Sequence, residues 1–150
     1  MESYLSALAD SFILYRLGRY DIHGKEFLKT GHKYYLADLG LRFYLLGSKI
    51  TDTGRILENI VFLELFRRGW ELSVGKMNTY EIDFVAQKGE KREYYQVALS
   101  VRDETTLERE IRPLEAVKDN YPKFLLTMDD DPPAEHNGIF RKNVLDWLIM

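Results

Sequence analysis

The sequence predicts an α/β protein with a mixed sheet and helices on its faces, and three observations carry that expectation. Apolar residues recur at helical spacing through 54–68, and helical patterns return at 105–119 and 144–149. Runs of β-prone residues occupy 70–74, 81–86, 94–101 and 124–128, with turn residues between them. The resulting order, helix, three strands, helix, strand, buries its apolar faces most simply as a sheet covered by helices. Length and composition agree. The chain has 150 residues, 45% apolar and 30% charged, which suits one ordinary domain or a domain with a small appendage and excludes disorder.

The elements follow in order. Tyr4, Leu5, Leu8 and Phe12 have helical spacing, and 12–20 is apolar and β-prone. His23-Gly24-Lys25 reads as a turn, Phe27-Leu28 and Tyr34-Tyr35-Leu36 as strands, and 38–46 as a short helix. Segment 1–53 is thus expected to be a helix followed by a hairpin. The polar stretch from Gly47 to Gly54 marks a boundary, giving a first unit of 1–53 and a second of 54–150. Helix 54–68 is expected to start beneath Thr51, Asp52 or Thr53 and to stop at Arg67-Arg68-Gly69. Residues 75–80 and 89–92 are expected to be turns. Helix 105–119 opens with Thr105 and Glu108 at the spacing of a capping box, and Pro113 is expected to kink or split it.

Charge and composition exclude several functions. There is no cysteine, so disulfides, zinc ribbons and thiol catalysis are ruled out, and a reducing cytoplasm fits. The net charge of -3 argues against an indiscriminately basic nucleic-acid arm. It divides unevenly: residues 1–53 carry 7 basic and 6 acidic residues, and 54–150 carry 14 and 18. No basic segment followed by an apolar run opens the sequence, so no signal peptide is expected. The greasiest stretch, 56–66, contains Glu58, Asn59 and Glu64 and is too short and too polar to span a membrane.

Four residues are candidates for chemistry. Glu58 has Val61, Phe62 and Leu65 as its helical neighbours, so its carboxylate needs a partner, with Arg55 a simple one. Glu81 and Asp83, two apart on a strand, point to one side; Ile82 and Phe84 are expected on the other, with Val85 returning to the acidic side. A pair of this kind suits a magnesium ion held by one or two carboxylates, or else a solvated edge. Gln96 is expected in a central strand and needs hydrogen-bond partners, as a metal ligand through its side-chain carbonyl or as a satisfied core amide. His23, His32 and His136 lack ligand spacing and read as surface residues, Arg67-Arg68 as a helix C-terminal charge pair, and 129–131 as a solvated acidic loop.

The order and spacing of Glu58, Asp83 and Gln96-Val97-Ala98 resemble the PD-(D/E)XK nuclease superfamily, the restriction-endonuclease-like fold. The resemblance implies that Glu58 is the helix acid, Asp83 the strand acid, and that both hold Mg²⁺ or Mn²⁺. It aligns Gln96-Val97-Ala98 with the E-x-K tripeptide, so Gln96 replaces an acid and Ala98 the lysine that helps activate water. Arg102 or Arg109 would be substitutes for that lysine.

A second resemblance covers nearly the whole chain. Tyr4-Leu5-Ser6-Ala7-Leu8, 19–25, 33–42, Leu57-Glu58-Asn59, 64–69, Glu81-Ile82-Asp83-Phe84-Val85 and Tyr121-Pro122-Lys123 are similar to an uncharacterised domain family found behind AAA+-type P-loop ATPase modules in bacteria and archaea. Gln-Val-Ala in place of E-x-K looks usual for that family. The likeness implies that 1–53 is the C-terminal half of a winged-helix element, 54–150 a nuclease-like domain, and an N-terminal ATPase module the partner. No G-x-x-x-x-G-K-[ST] motif occurs in these residues, so there is no ATP site of that kind among them. The expected function is a nucleic-acid- or partner-binding regulatory module with impaired catalysis. The alternatives are an active Mg²⁺- or Mn²⁺-dependent nuclease and a protein–protein module, in which the first hairpin or a sheet edge pairs with a second copy.

Overall fold

The computed structural model describes residues 2–29, 31–47 and 52–150. The turn stretch 48–51, including Thr51 of the expected helix cap, lies outside the described residues. The elements run α1 (Glu2–Asp10), β1 (Leu14–Leu17), β2 (Arg19–Asp21), β3 (Glu26–Phe27), β4 (Lys33–Leu36), α2 (Leu39–Leu46), α3 (Thr53–Arg67), β5 (Glu71–Met77), β6 (Tyr80–Lys88), β7 (Lys91–Val97), α4 (Glu104–Ala116), β8 (Lys123–Thr127), β9 (Ala134–His136), β10 (Ile139–Asn143) and α5 (Val144–Ile149). The helix, three strands, helix, strand order is therefore present as α3 to β8, in a mixed α/β architecture. Among the described residues no helix is long and apolar enough to cross a membrane.

Eight strands form one sheet in the order β3-β2-β5-β6-β7-β8-β10-β9, and β1 pairs with β4 in a separate two-stranded ribbon. The strands β5, β6 and β7 are antiparallel neighbours, while β7–β8 and β8–β10 are parallel. The first segment is not one simple hairpin. Its β-prone run is interrupted at Gly18, after which β2 leaves the ribbon and lies parallel to β5. The Gly18 carbonyl accepts the Val74 N–H at 2.9 Å, so the interruption joins the two sheets.

Each face of the large sheet has its own core. One gathers Leu57, Val61, Phe62 and Leu65 of α3 with Tyr35, Phe84, Tyr95 and Trp147. The other gathers Ile111 and Leu114 of α4 with Ile82, Val85, Tyr94 and Ile139. Helix α3 ends as its sequence dictates. Gly69 adopts φ +78°, and the N–H groups of Gly69 and Trp70 turn back to the carbonyls of Phe66 and Leu65. Both Arg67 and Arg68 bind Glu64, whose carboxyl falls to about 2, chiefly through the Arg67 hydrogen bond and against its own desolvation. Arg68 also donates to the Trp147 carbonyl and stacks on its ring, tying α3 to α5.

Several local expectations are corrected. Gly75 is inside β5, where a Cβ would meet Val85 at 2.9 Å, Ile22 at 3.0 Å and Ile82 at 3.1 Å, so it is a packing glycine; the turn is at Asn78, φ +53°. Helix α4 is capped by Asp103, which accepts the Thr106 N–H at 2.9 Å, rather than by a Thr105–Glu108 box. It continues through Pro113 as one element and ends at Ala116. Asp129 does not belong to a solvated loop. It is buried and accepts the Val101 N–H at 2.8 Å.

The phase of β6 also differs from simple alternation. Ser73 pairs with Val85 and Gly75 with Ile82, so Val74 alone faces Asp83 and Phe84. This is a β-bulge. It places Ile82 and Val85 in one core and Phe84 in the other, overturning the expectation that Val85 shares the acidic side.

Candidate functional site

Asp83 sits in the bulge, where β6 and β7 part. Its N–H donates to the Gln96 side-chain Oε1 at 3.3 Å, and its Oδ2 accepts the Val97 N–H at 3.0 Å. The carboxylate is thereby fixed on the face covered by α3. Glu58, on α3, and Glu81, earlier on β6, reach the same point. At that point lies the ammonium of Lys33, 3.1 Å from Glu58 Oε1, 3.2 Å from Asp83 Oδ1 and 3.3 Å from Glu81 Oε1. Arg19 of β2 approaches Glu81 Oε2 at 3.1 Å from the outer side.

The sequence dictates how Lys33 arrives. Lys33 and Tyr35 share one face of β4. The Tyr35 hydroxyl donates to Glu58 Oε1 at 2.6 Å, while its ring stacks on Phe62 at 4.4 Å. The buried Asn59 amide holds the strand itself: its Oδ1 accepts the Leu36 N–H at 2.8 Å, and its Nδ2 donates to the Leu36 carbonyl at 2.9 Å. Asn59 thus acts as a strand neighbour built into a helix. Asn59→Ala leaves both Leu36 groups without these partners and is expected to cost about 2–3 kcal/mol, in line with burying unpaired backbone groups. Urea unfolding of the two proteins measures it, and a change below about 0.5 kcal/mol would show that β4 does not depend on this clamp.

Burial and charge compete at the centre. Desolvation, reinforced by Glu58, pushes the Asp83 carboxyl up to about 7 against the pull of Lys33 and the Val97 N–H. Burial pulls the Lys33 ammonium down, but Asp83, Glu58 and Glu81 outweigh it and hold it above the ordinary lysine value. Burial and then Glu58 raise Tyr35 well above an ordinary phenol. Glu81 opposes its own desolvation with Lys33 and Arg19 and lies below the usual carboxylate value.

The structure therefore brings together Glu58, Glu81 and Asp83, with Gln96 directly behind Asp83. Glu58 does not pair with Arg55, which binds Asp52 instead at 3.2 Å. The proposed lysine substitutes are elsewhere: Arg102 approaches Asp131 at 3.4 Å, and Arg109 pairs with Glu110 at 2.8 Å. Lys33 comes from the first segment, and its alternation with Tyr35 shows only that the two share a strand face, not that they reach Glu58 and Asp83. Glu58 and Asp83 fit a divalent cation, since their oxygens already converge on one positive charge. Gln96 fits less well, because its carbonyl oxygen is used by the Asp83 N–H and its Nε2 donates to Glu110 at 3.0 Å. Among the described residues no group of three or more acidic or histidine side chains forms a ready metal cage.

Two relatives share this sequence over most of its length. An uncharacterized protein of Haemophilus influenzae is 42% identical over 149 residues, 99% of this chain and 36% of that protein. The uncharacterized protein MJ1544 of Methanocaldococcus jannaschii is 38% identical over 138 residues, 86% of this chain and 30% of that protein. The chain thus spans about a third of the length of the curated relatives it matches. No protein-family model and no solved structure matches it.

Proposed function

We propose that this chain carries a metal-dependent nuclease centre of the PD-(D/E)XK type, in which Lys33 replaces the motif lysine that Ala98 lacks. The observation that carries the reading is the position of the Lys33 ammonium, within 3.3 Å of Glu58, Glu81 and Asp83 although it comes from β4. The α3-β5-β6-β7-α4-β8 order and the placement of the two acids on α3 and β6 support a restriction-endonuclease-like core. Glu58 and Asp83 would hold Mg²⁺ or Mn²⁺, which supplies positive charge to a developing phosphate oxyanion and acidifies water. Tyr35 and Lys33 orient Glu58 through Oε1. Lys33 is also the cation best placed to meet a phosphate oxygen, giving the centre an electrostatic stabiliser.

A second reading, a binding or regulatory module that does not cleave, draws support from Gln96, which is engaged by Asp83 and Glu110. In both readings an N-terminal AAA+-type ATPase is the proposed partner, and the longer relatives leave room for such a module.

Incubation with single-stranded, duplex and branched DNA or RNA in Mg²⁺ or Mn²⁺ tests the choice. The nuclease reading expects cleavage that Asp83→Asn lowers by about 100-fold or more, the scale on which one electrostatic element of an active site acts. Absence of cleavage together with absence of Mn²⁺ binding by calorimetry would sink it and leave the binding module.

A further inference from the structure

Beside the acidic centre lies a cavity of about 550 Å³, walled by β4 and α2 on one side and the first turns of α3 on the other. Lys33 and Glu58 belong both to this cavity and to the centre, so the two are continuous. The remaining wall combines cations with apolar and aromatic surface: Arg42 and Arg55, with Tyr34 and Leu39. The acids that line it, Asp52 and Glu58, pair with Arg55 and Lys33, so a phosphate at Arg55 takes the place of Asp52 while Arg42 meets it directly. A concave site of this size encloses a small organic unit rather than a flat surface. Cations that meet phosphate, beside aromatic and apolar groups that meet a base, are what single-stranded nucleic-acid sites use. A base inside a closed duplex cannot enter such a pocket unless it leaves the stack.

We propose that this cavity is a nucleotide subsite that receives one unpaired nucleotide of a single-stranded nucleic acid. Its phosphate lies on Arg42 and Arg55, its base lies against Tyr34 and Leu39, and the strand runs on towards Lys33. The assignment makes unpaired strands the substrate class of the centre and in that respect rests on the nuclease reading, but binding in the cavity requires no cleavage.

Fluorescence anisotropy with labelled oligothymidylate and with a blunt duplex of equal length, in EDTA at low salt, tests it on the full chain. The single strand is expected to bind about 10-fold tighter than the duplex. Arg42→Ala and Arg55→Ala are each expected to weaken it several-fold, and the double variant to flatten the slope of log affinity against log salt by about 0.7, the value for one phosphate contact on a single strand. Arg55 is exposed and Arg42 half-buried, and Tyr34→Leu, which changes no charge, is expected to weaken single-strand binding alone. Equal or tighter duplex binding, or single-strand binding unchanged in all three variants, would overturn the subsite. Selective binding with neither metal-dependent cleavage nor Mn²⁺ binding supports the subsite while sinking the nuclease reading. Cleavage with the arginine variants unaltered in strand preference does the reverse.

Discussion

Lys33→Met is expected to destabilise the protein by about 2 kcal/mol at pH 8 and by clearly less at pH 5. Removing one partner of a buried ion pair costs about 3–5 kcal/mol, discounted here because the lysine side chain is 27% exposed. The pH dependence follows from proton linkage. With Lys33 present, burial and Glu58 already hold the Asp83 carboxyl above its ordinary value, while Glu81 is held low. Without the ammonium, Asp83 loses its nearest cation while Glu81 keeps only Arg19, and the folded variant retains protons that the folded wild type has released. The variant therefore loses stability relative to wild type as pH rises through the range in which Asp83 ionises. Below it Asp83 is protonated and the loss shrinks. Urea titrations of both proteins at pH 5 and 8 measure the effect. A loss that is the same at both pH values would show that Lys33 contributes packing rather than charge.

Phe62→Ala is expected to be more damaging, at about 3–5 kcal/mol, the usual range for deleting a buried aromatic side chain. Phe62 is 1% exposed and stands among Tyr35, Tyr15, Phe66 and Phe84, with ring centroids 4.4 to 6.3 Å away. Aromatic contacts of this kind add to simple burial. Small domains commonly have about 5–15 kcal/mol in all, so the variant should unfold at a much lower urea concentration with little change in slope. Phe62→Leu keeps most of the volume and is expected to cost less than half as much. A loss below about 1 kcal/mol for the alanine variant would mean that this cluster collapses around the gap. The consequence reaches the site, because the Tyr35 ring packed on Phe62 carries the hydroxyl that orients Glu58.

Local signals were enough to find much of this arrangement. The apolar stripe of α3 and its Arg67-Arg68-Gly69 stop, the three following strands and the last helix depend on neighbours within a turn or two, and they lie close to where periodicity puts them. Glu81 and Asp83 could be put on one side from strand alternation alone. The bulge could not be seen, because one residue facing two on the next strand is a property of pairing, and it moved Val85 to the opposite core. Asp103 and Thr105 were both competent caps, and only the backbone path into α4 selected Asp103. Lys33 was hidden most deeply. It is 25 residues from Glu58 and 50 from Asp83, and no local pattern reports a contact of that range. The Asn59 clamp that fixes its strand is a buried polar residue on an otherwise apolar helix face, a signal present in the sequence but attributed there to no partner.

The two margins of the large sheet bear on self-association. One ends in β3, two residues long, and the other in β9, three residues long. Each carries an exposed glutamate, Glu26 or Glu135, and β9 follows Pro132 and Pro133, which have no N–H to offer. Short, charged and proline-flanked margins are poor templates for another chain's strand. Extension of the sheet into fibres is therefore disfavoured at both ends.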